Sequence, residues 1–168
     1  RGLDIEIAYR RQLGAVGRLD TRLNWTHVLE LSQNINPSDP NRVDRLLSEL
    51  GNPKDAFNWN SSLQHGRFTF GYQMRWLSKM YVNTFETWNA LQDRPAENAD
   101  FSDQSHYPQR WYHDIRMGVD VGPKYNFYMG IDNLTNTKPP YALTGISGGS
   151  GIYDAIGRFY YAGFKAKF

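Results

Sequence analysis

The sequence contains no cysteine, which removes disulfides, thiolate metal sites and cysteine nucleophiles from consideration. It has no apolar run near 18 residues, so no segment reads as a membrane-spanning helix. Charge of one sign is also missing. Nineteen Lys and Arg against seventeen Asp and Glu leave a formal +2, which argues against a protein that coats nucleic acid. The chain does not begin with Met, and no charged segment precedes an apolar run. Arg1-Gly2-Leu3-Asp4-Ile5 already lies inside an alternating pattern, so a removed leader or a start within a longer polypeptide is expected. Repeats of solenoid period are absent. The glycine-rich stretch 145–151 lacks the Lys-Ser/Thr of a phosphate loop and reads as a flexible loop. Aromatic residues are abundant: eleven Tyr, nine Phe and five Trp. With a mean hydropathy of −0.66, the chain is polar on average yet too aromatic for disorder.

Period-two alternation accounts for that combination. Leu3, Ile5, Ile7 and Tyr9 alternate with Asp4, Glu6, Ala8 and Arg10. Leu19, Leu23, Trp25 and Leu29 follow a turn at Leu13–Gly17, and Phe57, Trp59 and Leu63 form a third run. A fourth carries Phe68, Phe70, Tyr72, Met74, Trp76, Met80 and Val82, and a fifth Trp111, Ile115, Met117, Val119 and Val121. Tyr125, Phe127, Met129 and Ile131 make a sixth, and Tyr160, Ala162, Phe164, Ala166 and Phe168 a seventh. Seven amphipathic strands are therefore expected. Tight turns alternate with long polar connections near 33–56, 84–108 and 135–156, all at one end of the sheet. Asp44–Leu50 has the composition of a short helix within the first of these.

One face of every run holds Trp, Phe, Leu, Ile and Met, while the other mixes Arg, Asp, Asn, Gln and Tyr. A transmembrane β-barrel requires strands of about 9–11 residues, short turns on one side, longer loops on the other, and aromatic girdles at both interfaces. Trp25, Trp59, Trp76 and Trp111 all stand about 7–11 residues above the tight-turn end, or about 18–28 Å at a tilt of about 40°. Tyr9, Phe68, Tyr125 and Phe168 mark the opposite level. The fold class expected is all-β, an antiparallel transmembrane barrel. Seven strands do not close a single-chain antiparallel barrel, where the count is even, and an open edge in lipid leaves backbone groups unpaired. Residues 1–168 are thus expected to form part of a larger barrel domain, whose C-terminal segment they would be by the resemblance that follows.

The last forty residues carry a family resemblance. Gly130-Ile131-Asp132-Asn133-Leu134-Thr135-Asn136, the Pro-Pro-Tyr at 139–141, and Tyr153-Asp154-Ala155-Ile156-Gly157-Arg158-Phe159-Tyr160-Tyr161-Ala162-Gly163-Phe164 resemble the closing hairpin of TonB-dependent outer-membrane receptors. Tyr160, Ala162, Phe164 and the terminal Phe168 resemble the signal read by the barrel-assembly machinery. The resemblance implies the last seven strands of a barrel of about 22 in a bacterial outer membrane. It also implies energised uptake of a scarce nutrient: a ferric siderophore, cobalamin, haem or a saccharide. Implied partners are the rest of the barrel, a plug domain, the TonB energy-coupling complex acting through an N-terminal part absent from these residues, and membrane lipid with lipopolysaccharide. No nucleic acid is expected. Two other readings remain: a passive porin or adhesin-type barrel, and a soluble secreted β-sandwich that binds ligands through the three loops.

No catalytic, cofactor or metal site emerges. His27, His65, His106 and His113 lack metal-ligand spacing, and no Ser/His/Asp order or carboxylate pair stands out. A non-enzyme is expected. Asp4, Glu6, Arg10, Arg18, Asp20, Arg22, Arg75, Asp114, Arg116 and Asp120 alternate in sign on the polar face. Cross-strand ion pairing and contact with a plug account for them, with a polar substrate path as the functional alternative; Arg22, Arg75, Asp114, Arg116 and Asp120 are the lumen-facing candidates. Ligand contacts are expected from the loops and upper lumen, at Trp88, Arg94, Phe101, His106, Tyr107, Arg110 and Tyr141. Aromatic rings combined with arginine suit an anionic or planar ligand.

Overall fold

The computed structural model describes residues 1–140 and 150–167. In chain order the strands are β1 (Gly2–Gln12), β2 (Arg18–Val28), β3 (Ser32–Asn34), β4 (Val43–Arg45), β5 (Asp55–His65), β6 (Phe68–Leu77), β7 (Met80–Tyr81), β8 (His106–Tyr107), β9 (Arg110–Val121), β10 (Tyr125–Asp132) and β11 (Phe159–Ala166). One helical turn, α1 (Phe85–Trp88), lies between β7 and β8. The seven long strands form one antiparallel sheet in the order β1-β2-β5-β6-β9-β10-β11. The sheet is open: β1 and β11 each have a neighbour on one side only. Two short ribbons, β3-β4 and β7-β8, belong to the long connections.

Turn chemistry sets the register. Between β5 and β6 only Gly66 and Arg67 separate the paired His65 and Phe68, and Gly66 takes φ +56°, a conformation costly for any side chain. Gly122-Pro123-Lys124 connects the paired Val121 and Tyr125. Because side chains alternate strictly, this register places every apolar run on one face. Ile5, Trp25, Phe57, Trp76 and Trp111 fall in a single cross-strand row. Phe70, Met117, Met129 and Ala162 form a row nearer the tight turns.

That apolar face carries no second layer among the described residues. Ile7 is 60% exposed, Met129 58% and Phe164 68%, the inverse of a sandwich, whose apolar faces pack against each other. The buried cluster lies elsewhere. Leu77, Met80 and Tyr153, with Leu50, Ala56, Tyr107 and Ile152 packed against them, form a small core where the long connections meet the sheet.

Three expectations need correction. Asp44–Leu50 is not helical: its first residues pair as β4 with β3, and Leu46 and Leu47 both donate backbone N–H bonds to the Leu31 carbonyl. An isolated helix of seven residues is marginal, and pairing with the preceding strand supplies partners that a helix would not. The helical turn forms instead at Phe85–Trp88, where Thr84 caps it by accepting the Thr87 N–H at 3.3 Å. The fourth run ends at Leu77 rather than Val82, because Met80 turns into the loop-end core with no exposed area. Trp59 pairs with Leu23 and Met74, one alternation closer to the turns than the row of Trp25, Trp76 and Trp111.

On the polar face, glycine pairs with tyrosine across strands. Tyr161 lies over Gly130, and Tyr128 over Gly163. A Cβ added at Gly130 would stand 2.4 Å from the Tyr161 ring and 2.9 Å from the Ile115 carbonyl oxygen. Gly130→Ala is therefore expected to destabilise by about 1–3 kcal/mol through overpacking, measured by equilibrium unfolding against Gly151→Ala, whose added Cβ meets nothing within 4 Å.

Candidate functional site

Two regions carry chemistry: a trough on the polar face of the sheet, and the loop assembly above it. The trough has a cavity volume of about 460 Å³ and runs between Arg22 on one side and Asp114 and Arg116 on the other, with Asn60, Ser62 and Gln73 as its floor. The register puts Arg22, Arg75, Asp114, Arg116 and Asp120 on this one face. Their partners differ in part from the expected ion pairs. Arg10 bridges Asp20, and Arg22 reaches Glu6 at 3.8 Å. Asp114 instead accepts the Asn133 N–H at 2.7 Å, and Asp120 accepts from the Asn126 side chain at 2.8 Å. Arg75 stacks over Tyr112 at 4.6 Å and Arg116 over Tyr128 at 4.8 Å. These arginines are held by aromatic faces, which leaves their N–H groups free for polar partners.

Of the expected ligand contacts, the structure brings Trp88 and Phe101 together and gives the others separate neighbours. Trp88 donates its indole N–H to the Val82 carbonyl at 2.8 Å and meets Phe101 edge-on. His106 stacks on Tyr81 at 4.3 Å between ring centroids, and Tyr81 in turn meets Phe85. Tyr107 packs against the loop-end core, which gives it a structural role. Arg110 donates to the Lys138 carbonyl at 3.0 Å. Arg94 bonds Gln92, while its Nε is buried without a partner among the described residues. Tyr141 and Phe168 lie outside the described residues. Of the assembly-signal residues, Tyr160, Ala162 and Phe164 share the apolar face of β11.

Titratable groups in the loops respond to burial. Burial and the charge of Lys79 hold the His106 pKa below its usual value, and burial pushes the Tyr153 phenol up to about 12. Each histidine has a hydrogen-bond partner, and among the described residues no group of three metal-binding side chains includes a histidine. His27 bonds Asp55 at 2.6 Å, His65 the Val16 carbonyl, His106 the Ser105 hydroxyl and His113 the Tyr72 hydroxyl.

Sequence reasoning missed one cluster. Asp44, Glu49 and Glu86 bring one carboxylate oxygen each within 4.8 Å of one another. Positions so far apart in sequence gave no spacing signal. Hydrogen bonds already use these carboxylates: Glu86 accepts the Arg45 N–H at 2.9 Å, Glu49 the Phe85 N–H at 2.7 Å, and Asp44 the Gln33 amide at 2.8 Å. The cluster therefore staples β4 to α1. Burial, the first cause, and the neighbouring Asp44 and Glu86 raise the Glu49 pKa. Folding thus disfavours its charged form, a cost absent below the unfolded pKa and complete above the folded one. Glu49→Gln keeps an acceptor for Phe85 and removes the repulsion. It is expected to slow amide exchange at Phe85 near pH 7 and to leave it unchanged at low pH, measured by hydrogen exchange.

No family model matches the chain, and no curated protein matches it. Among solved structures, it is similar to the closed form of the ferric-catecholate import receptor Fiu from E. coli K12, with 13% identity and a TM-score of 0.40. That alignment covers 81% of this chain and 23% of the receptor, so the chain spans less than a quarter of that protein's length.

Proposed function

We propose that the chain is the C-terminal wall of a TonB-dependent outer-membrane receptor that takes up a scarce nutrient such as a ferric siderophore. The observation that carries this reading is the full-width apolar face of a seven-stranded antiparallel meander, exposed from β1 to β11. In water that face is a liability; in a bilayer it is the lipid-facing surface of a barrel. The long connections at one end fit extracellular loops, and the tight turns fit the periplasmic side. Two unpaired edges fit a segment that continues into further strands. The polar trough then faces the lumen, where its charges and amides meet a plug or line the substrate path. Binding and gating belong to the assembled barrel, and this segment has no proposed catalytic role.

The experiment is extraction of the protein with and without detergent, followed by a heat-modifiability gel. Recovery only in detergent, with a mobility shift on boiling, is expected. Recovery as a soluble monomer would contradict the reading. A coupling box and plug in the same polypeptide would separate a receptor from a passive porin.

A further inference from the structure

The tight-turn end of the β10–β11 hairpin holds a hollow of about 560 Å³, lined by Asp120, Pro123, Lys124, Asn126, Lys165 and Lys167. The register brings its lysines together. Asn126 pairs with Lys165 and Tyr125 with Ala166, so Lys124 falls opposite Lys167. The Lys167 N–H donates to the Lys124 carbonyl at 2.9 Å, which holds the two positions side by side. Lys165 and Lys167 share the polar-face parity of Tyr161, so the hollow opens on the polar side of the sheet, away from the apolar face.

Like charges directly opposite each other across an antiparallel pair are destabilising, and nothing nearby offsets this trio. None of the three lysines has an ion-pair partner among the described residues, and all three are exposed. Asp120, the one carboxylate lining the hollow, accepts from the Asn126 side chain at 2.8 Å. Asp20, the other carboxylate near the tight turns, is bridged by Arg10. The adjoining turns add Arg18 and Arg67 and no further acid, so the local field is positive. Lysines also guard an open edge strand against pairing. Lys124, however, lies in a turn between two strands that are already paired, where no edge needs guarding.

From this trio of unpaired ammonium groups we infer that the turn end of the β10–β11 hairpin binds a soluble anion carrying two phosphate groups. Ammonium groups are point charges, suited to tetrahedral phosphate rather than to the planar, bidentate match of arginine with carboxylate. Two phosphate groups carry about −3 to −4 near neutral pH, which balances three lysines. The polar-face position excludes a lipid headgroup, whose chains would have to lie on the opposite face. Register, charge and the shape of the hollow carry this site with or without a bilayer on that face.

The test is calorimetric titration of the full-length protein, in non-ionic detergent and without divalent cations, with inorganic pyrophosphate, orthophosphate or citrate. Saturable binding of one pyrophosphate is expected, weakening as salt is raised. Orthophosphate and citrate should bind at least about tenfold more weakly. The Lys124→Gln, Lys165→Gln, Lys167→Gln variant should lose about tenfold or more in affinity for pyrophosphate. These exposed substitutions relieve repulsion, so that variant should melt no lower than the native protein. A Lys54→Gln, Lys79→Gln, Lys138→Gln variant has the same net charge but is altered at the opposite end, and it should bind as the native protein does. No saturable binding, equal binding of citrate, or equal losses in the two variants would overturn the inference. Each of those outcomes leaves the membrane reading intact, because that reading fails only on recovery of a soluble monomer without detergent.

Discussion

Met117→Arg is expected to destabilise the bilayer-folded protein by about 2–4 kcal/mol, the cost of a guanidinium on the lipid face near the midplane. Met117 stands in the middle of the apolar face, paired with Phe70 on β6 and Met129 on β10, and is 47% exposed. On a water-facing sheet the same change at an exposed position would stay within about 0.5 kcal/mol. Gln73→Arg is the control. It sits opposite Asp114 on the polar face, so the new charge gains a partner there and the expected change is near zero. Urea titration of both variants folded into lipid vesicles gives the comparison. Equal stabilities would mean that the two faces see the same solvent, and the barrel account would fail.

Asn133→Ala carries the second large effect. Asn133 has no exposed area and sits at φ +51° just beyond β10. Its side chain accepts the Thr137 N–H and donates to the Thr137 carbonyl, each at 2.8 Å, while its own N–H goes to Asp114 at 2.7 Å. Alanine would leave both Thr137 groups without partners and would be strained at positive φ. The expected loss is about 2–4 kcal/mol. Asn133→Gly removes the strain but still lacks both Thr137 bonds, so it should fall between alanine and the native residue. Equilibrium unfolding measures the totals, and amide exchange at Thr137 localises them. A protected Thr137 amide in the alanine variant would show that the side chain is not what holds the turn.

Alternation made the main sheet readable from sequence because each strand has a solvent-like face and an oil-like one, and a slip of one residue would exchange them. The run Leu3, Ile5, Ile7 and Tyr9 thus located β1, and Leu13–Gly17 located the turn that follows it. The signal weakened where side chains leave the sheet. Met80 keeps the alternating parity of its run, yet it is buried with Leu77 and Tyr153, contacts made across long sequence distances. Asp44–Leu50 looked helical because its local composition says nothing about the Leu31 carbonyl that its amides reach.

The candidate site was legible only in part. Sign alternation placed Arg22, Arg75, Asp114, Arg116 and Asp120 on one face, but two of these arginines stack on tyrosines rather than pairing with acids. Residues chosen for aromatic and basic character in the loops, such as Trp88 and His106, are engaged with separate neighbours. The Asp44, Glu49 and Glu86 group depends on the meeting of two connections, which no spacing along the chain encodes.

The central claim, that the apolar face meets lipid, is tested most directly by tryptophan quenching in vesicles. Trp25, Trp76 and Trp111 share one row on that face with Trp59 one step away, while Trp88 lies in a long connection. With Trp88→Phe in place, brominated acyl chains should quench most of the remaining emission, and aqueous iodide should quench little. Strong iodide quenching with no effect of brominated lipid would place those four indoles in water and contradict the account.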